Sequence, residues 1–412
     1  MPSHLSTPPW KTGWKSCGRT CIAHRRPKLL RAPRLSYSTT VIAPHRLAAF
    51  GAALWLVACS TSREPIEIGL AGPFSQSRGT AMQRAAQLAV SQINARGGVR
   101  GRRLKLRIAD DSASEDAAVR VAQALYDDPA VVAVVGHLTS GASIAAAQVY
   151  GAAGHPVVMI SPSASSPELS GISPYIFRIC PTDVSYGGAL ARFAWRALGA
   201  RRAGVIFVNN DYGRGVRNAF GADFARLGGT VVEADPYVSS TPSFEPYLAR
   251  LRRAGIDVLM LAAERPGAEL ALRELKALGI RWQLVGGDAL TGIEAAGPLA
   301  EGVYLASAYL PDRPGERNAT FVADYARAHP GERPDHRGAG AYDAVLLLTQ
   351  AIAAVGPDRA AVRNYLAEVG RGVAAFDGVT GKIAFDTTGN VPSKSVVIGV
   401  VRSGRLVTEG SQ

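Results

Sequence analysis

Apolar and polar positions change period in a regular order along the chain. Ile66 to Ala71 (I-E-I-G-L-A) is a short apolar run, Thr80 to Asn94 is amphipathic at helical spacing, and Leu104 to Asp111 returns to a strand-like pattern. The order repeats: Ala117 to Tyr126 predicts a helix, Val131 to Gly136 (V-V-A-V-V-G) a buried strand, Ala142 to Ala153 a helix, and Pro156 to Ser161 a strand. Apolar strands alternating with helices point to an α/β fold whose mostly parallel sheet is covered on both faces by right-handed crossovers.

A second series starts at Asp183. It predicts a helix to Leu198, a strand from Ala203 to Val208, a helix from Gly215 to Leu227 and a strand from Thr230 to Glu233. Helix Phe244 to Ala254, strand Asp257 to Ala262, helix Gly267 to Leu278 and strand Trp282 to Gly287 follow. Two α/β series with no low-complexity linker between them predict two Rossmann-like lobes across a cleft. Residues 316–369 turn mainly helical, and Lys382 to Asp386 and Val396 to Val401 are β-like, with turns at Gly389 and Gly404. No strict short-period repeat is present, which argues against a solenoid.

Composition changes this picture at one end only. The 412 residues carry a formal charge of +13, yet residues 1–58 hold nine Lys/Arg and no Asp or Glu, leaving 37 basic against 33 acidic residues in the remainder. The body therefore has no unusual attraction for phosphate backbones, and nucleic acid is not an expected partner. From His45 to Ala58 a short basic patch leads into about a dozen apolar residues, too few to span a bilayer and right for an export signal. Leu56-Val57-Ala58-Cys59 resembles a bacterial lipobox, whose Cys carries the lipid; an ordinary signal peptide with a chance Cys59 is the other reading. Residues 1–40 fit no such signal, and a start at Val41 would give a compact one of 18 residues. Cys17, Cys21, Cys59 and Cys180 match neither a disulfide framework nor a paired zinc motif, so no metal is expected.

Catalytic signatures are missing. Gly213-Arg214-Gly215 lacks the third Gly of a dinucleotide loop, Gly378 to Lys382 lacks the spacing of a phosphate-binding loop, and no H-E-x-x-H or G-x-S-x-G occurs. His137, at a strand end, is the best candidate for a base. Asp110-Asp111 is either a carboxylate pair or, more simply, the cap of the next helix. What does cluster is hydroxyls at the C-terminal ends of parallel strands, where open α/β sheets place ligands. Ser140, in His137-Leu138-Thr139-Ser140-Gly141, opens a helix, so its hydroxyl and the neighbouring N–H groups suit a carboxylate. In Ser161-Pro162-Ser163-Ala164-Ser165-Ser166-Pro167, Ser165 offers a hydroxyl and an N–H, and the Ser163 carbonyl an acceptor for an ammonium. Capping and turn formation compete for each serine. Asp288, after the Trp282 strand, complements an ammonium or else caps the short helix that follows. Tyr212 closes over a ligand or is a plain turn aromatic.

These residues together resemble the extracellular solute-binding proteins for branched-chain amino acids, a type I periplasmic-binding fold that feeds ABC importers. The likeness runs from about Ile66 to Gly404. It rests on G-P-F from Gly72, I-N-A-R-G-G-V-R-G from Ile93, Asp110-Asp111, G-H-L-T-S from Gly136, I-S-P-S-A-S-S-P-E-L from Ile160, Phe177-Arg178, D-Y-G-R-G from Asp211, and G-G-D from Gly286. The resemblance implies that Ser140, Ser163 and Ser165 hold the ligand's carboxylate and amine, and that Tyr212 and Asp288 close from the second lobe. Two departures stand out. Glu264 replaces an aromatic residue, and the disulfide of several relatives is absent because Ala113 and Thr139 occupy its positions, forgoing roughly 2–4 kcal/mol. Glu264 either faces a polar, amide or cationic ligand substituent or pairs with Arg265 or another arginine.

The residues give a leader and signal over 1–58 and a tether over 59–65, and the resemblance implies a first lobe of 66–182 plus 312–376 and a second of 183–311 plus 377–412. Crossings then fall near Thr182, Pro311 and Asp377. The function implied is a lipid-anchored monomer that captures an amino acid or related amide by lobe closure and presents it to a permease and its ATPase. It needs no cofactor and performs no catalysis. A sensor domain of the same fold acting through a regulatory partner is the alternative.

Overall fold

The computed structural model describes residues 64–409, so Cys59, the leader over 1–58 and most of the tether lie outside the described residues. The chain opens with β1 (Ile66–Gly72), α1 (Ser77–Ala95), β2 (Leu104–Asp110), α2 (Glu115–Asp127), β3 (Val131–Val135), α3 (Ser140–Tyr150), β4 (Val158–Ser161) and β5 (Ile176–Arg178). These strands form a wholly parallel sheet in the order β2-β1-β3-β4-β5. Every residue of β1, β3 and β4 is buried, which is why, apart from Glu67 and Ser161, their sequences are apolar and do not alternate.

The second lobe follows with α4 (Asp183–Arg196), β6 (Arg202–Val208), α5 (Asp211–Arg226), β7 (Thr230–Tyr237), α6 (Glu245–Ala254), β8 (Val258–Ala262), α7 (Arg265–Ala277), β9 (Gln283–Gly286) and β10 (Tyr304–Ser307). The chain then returns to the first lobe through α8 (Glu316–Ala328), α9 (His336–Val355) and α10 (Arg359–Glu368). A small hairpin, β11 (Phe376–Gly378) and β12 (Gly381–Ile383), precedes β13 (Val397–Arg402) and β14 (Arg405–Thr408). The second sheet has the order β14-β13-β10-β9-β8-β6-β7, parallel from β7 to β10, with the β13–β14 hairpin added antiparallel. Helix α9 is long and apolar enough to span a membrane, but it lies inside the first lobe's core.

Helix starts follow local capping chemistry. Asn210 accepts from Gly213 N at 2.9 Å, Asp335 from Gly338 N at 2.9 Å, and Asp358 from Ala361 N at 2.8 Å, each satisfying an amide that has no partner within its helix. One expected boundary moves. Val379, Ile383, Phe385 and Val391 bury themselves in the first-lobe core, with the Phe385 ring 4.8 Å from that of Phe177, so residues 377–391 belong there and not to the second lobe. The last crossing therefore lies between Val391 and Val397. Strand-like residues around Lys382 pair only within their own hairpin, and their apolar side chains decide which lobe they join.

In each sheet the strand order reverses direction once, between β1 and β3 in the first lobe and between β6 and β8 in the second. Loops leaving the carboxyl ends of strands at such a reversal splay apart and leave a crevice. Here the two crevices face one another.

Candidate functional site

A cavity of about 350 Å³ lies between those loops, walled by both lobes. On the first-lobe side, Thr139 stands at the N-cap of α3 without a side-chain cap bond. The N–H groups of Ser140, Gly141 and Ala142 therefore have no intrahelical partner, and the positive end of the helix dipole is presented to the cavity. The Ser140 hydroxyl accepts from Ser166 N at 3.3 Å, fastening the serine-rich loop to the helix. Buried Arg178 secures that loop from behind, donating to the carbonyls of Ala164 (3.0 Å) and Ser166 (2.7 Å) and to Ser170 Oγ (2.7 Å). Ser163 reaches the cavity wall. Ser165 does not: it is buried behind the wall, its carbonyl accepting from Asp183 N at 2.8 Å.

Across the cavity stands Asp288, 2% exposed, just past the end of β9. Its Oδ2 lies 3.4 Å from His336 Nε2, and its Oδ1 has no partner among the described residues. The carboxylate thus caps no helix; one of its oxygens is buried and unanswered. Tyr212 Oη accepts from Ala289 N at 3.3 Å and sits over Gly287, where a Cβ would come within 2.2 Å of that oxygen. Glycine is what lets the ring close down there. Burial, with the Asp288 charge beside it, holds the Tyr212 phenol well above its ordinary pKa, so its O–H proton is kept for donation. Farther in, Asp183 is fully buried, its oxygens without a hydrogen-bond partner among the described residues, and burial pushes its carboxyl well above the usual range, with the neighbouring Ser165 side chain opposing.

Several contacts join the two walls. Glu264 Oε2 meets Arg78 Nη2 at 3.1 Å, so its partner comes from the opposite lobe, while Arg265 pairs with Glu269 in its own helix at 3.4 Å. His336 lies 3.3 Å from Ser163 Oγ in its own lobe and 3.1 Å from Thr291 Oγ1 in the other, in addition to Asp288. Beside it, Arg337 lines the cavity and pairs with Asp335 at 3.1 Å. Sequence reasoning did not single out His336, Arg337 or Arg78. The available signal was Asp335-His336-Arg337, a polar triplet opening a helix that is otherwise mostly apolar.

His137 is not in the cavity wall. It is fully buried, with Nδ1 2.6 Å from Asp111 Oδ2 and Nε2 3.2 Å from Tyr150 Oη, and its carbonyl accepts from the hydroxyls of Ser143 and Ser161. That is a structural knot at the end of β3, without access for a substrate. Nor does Asp110-Asp111 cap α2, because Ser114 takes that role. Asp110 instead accepts from Phe74 N, Ser75 N and Ser112 N at 2.7–3.1 Å, binding the loops after β1 and β2 together. Cys180 is a free buried thiol that burial pushes up to about 12, which keeps it protonated and inert. No group of three or more metal-ligating side chains occurs among the described residues.

Known proteins resemble this chain in sequence and fold. The family model described as periplasmic binding protein matches residues 65–405. An amino acid binding protein of Pseudomonas aeruginosa is 30% identical over 236 residues, 56% of this chain and 62% of that protein. A Leu/Ile/Val-binding protein homolog of Brucella suis is 28% identical over 348 residues, 83% of this chain and 90% of that one. Among solved structures, an ABC transporter substrate-binding protein of Desulfitobacterium hafniense in complex with leucine superposes with a TM-score of 0.74 at 31% identity, covering 84% of this chain and all of that one.

Proposed function

The chain belongs to the periplasmic binding protein family, and on that premise we propose that it is an exported receptor that captures an α-amino acid between its lobes and hands it unchanged to a membrane permease and its ATPase. The observation that carries this reading is the pairing of opposites across one cavity: unanswered N–H groups at the start of α3 on one side, and the unanswered Oδ1 of Asp288 on the other. The ligand carboxylate takes the N–H groups with the hydroxyls of Ser140 and Ser163, and its ammonium takes Asp288 with Tyr212 closing above. Each charge-assisted bond is worth roughly 1.5–3 kcal/mol. A zwitterion that touches both walls makes some of these bonds only when the lobes are together, and that differential affinity drives closure. Isothermal titration against the standard amino acids is expected to give 1:1 binding for a subset, with the solute recovered unaltered. Flat titrations throughout would overturn the reading.

The Leu56-Val57-Ala58-Cys59 segment supports an anchor on Cys59. Expression in a bacterial host with labelled palmitate is expected to label the protein, and Cys59→Ser to abolish the label. Label persisting in that variant would place any lipid elsewhere.

A further inference from the structure

We propose that the far end of the cavity selects a side chain ending in a primary carboxamide, so that the preferred solutes are glutamine- or asparagine-like; this rests on the amino-acid reading above. Once the α3 N-terminus and Asp288 are assigned to the two ends of the zwitterion, the charged groups left in the wall are Arg78, Arg337, Glu115 and Glu264. Arg78 pairs with Glu264, Arg337 pairs with Asp335, and Glu115 stands beside Gly141, so the remaining surface is polar and its two cations are already answered. Among the described residues, Leu138 is the only large aliphatic side chain in the wall.

A branched aliphatic ligand tail would press against these groups, removing water from them without replacing its hydrogen bonds. The ion pair between Arg78 and Glu264 (3.1 Å) narrows the choice further. It presents a donor from one lobe and an acceptor from the other, side by side. A carboxamide matches both at once: its oxygen accepts from the Arg78 guanidinium, and its NH₂ donates to the Glu264 carboxylate. An acidic tail would pair with Arg78 but meet Glu264 as a like charge, and a basic tail would do the reverse. Both partners are held in place for this. Gln76 Oε1 accepts from Arg78 Nε at 2.8 Å, and the Glu264 amide donates to Tyr237 Oη at 3.2 Å. Because the two groups come from opposite lobes, a carboxamide lying on them also adds to the contacts made only on closure.

The test is isothermal titration of the purified protein, freed of bound solute, with L-glutamine, L-asparagine, L-leucine, L-glutamate and L-arginine. The wild type is compared with Glu264→Leu and, independently, Arg78→Met, with thermal melts confirming that each variant folds. At least one carboxamide amino acid is expected to bind about tenfold or more tighter than leucine, glutamate and arginine, and either variant to cut that preference over leucine by about tenfold. Leucine binding as tightly as both carboxamides, or a preference unchanged in both variants, overturns the carboxamide assignment and leaves the amino-acid reading standing. Absence of binding by all five solutes overturns the carboxamide assignment, and silence across the standard amino acids overturns the amino-acid reading as well.

Discussion

Asp288→Asn is expected to weaken solute binding by about 100-fold, while the solute-free protein melts at the same temperature or slightly higher. Asp288 is almost completely buried, and one of its oxygens has no partner among the described residues. A carboxylate in that position costs folding free energy, because water has been removed from it without full replacement. It is useful only when a cation arrives. Removing one member of a buried charge pair typically costs 2–5 kcal/mol, or about 30-fold to several-thousand-fold in Kd. Asparagine keeps the size and packing beneath Tyr212 but presents no negative charge to the ligand ammonium. Titration calorimetry and a thermal melt of the same sample separate the two effects. Binding within threefold of wild type would show that the ammonium is held elsewhere.

The second large effect concerns stability. Asp343, on α9, is fully buried, and its carboxylate accepts from Val379 N (2.8 Å), Thr380 N (2.9 Å) and the Thr380 hydroxyl, to which buried Lys394 Nζ also donates. Gly378 makes the approach possible, since a Cβ there would lie 2.4 Å from Asp343 Oδ2. Burial pulls the Lys394 ammonium down to about 8, with Asp343 opposing, so at neutral pH it is still mostly charged and relies on that carboxylate. Asp343→Ala removes the acceptor for three donors and the counter-charge for a buried cation, a class of change that costs about 3–5 kcal/mol. Urea unfolding at pH 7 should show that loss. Asp377→Ala, at an exposed ion pair with Arg317 (3.6 Å), should move stability by no more than about 0.5 kcal/mol. Equal effects of the two substitutions would show that the Asp343 cluster does not hold the hairpin region to the first lobe.

Much of the fold was legible because its strands are buried on both faces. Val131–Val135 and Val258–Ala262 are short apolar runs of the kind a covered parallel strand produces. Strands of three or four residues, such as Ile176–Arg178, Tyr304–Ser307 and Phe376–Gly378, are too short to carry a period and exist because a neighbouring strand supplies their partners. The last crossing was misplaced for a related reason. Lys382 and its neighbours have strand character, but membership of a lobe is decided by where Val379, Ile383 and Phe385 are buried.

The site divides along the same line. Ser140, Ser163, Tyr212, Glu264 and Asp288 stand at strand ends or helix starts, positions that sequence pattern can locate, and all five reach the cavity. Ser165 is not among the lining residues, because Arg178 and Asp183 fix that backbone in a conformation no local pattern encodes, and its hydroxyl is buried without a partner among the described residues. Glu264 was recognisable as unusual, but its partner Arg78 lies 186 residues earlier, on the other lobe. Contacts made across a cleft leave no signature at short range, and His336 was not singled out for that reason.

The central claim is that one zwitterion is gripped from both lobes. A crystal structure of the protein with its tightest amino acid bound tests it most directly. The ligand carboxylate is expected within hydrogen-bonding distance of the Ser140–Ala142 amides, with its ammonium on Asp288 Oδ1. A solute bound outside this cavity, or inside it with Asp288 still unanswered, would contradict the account.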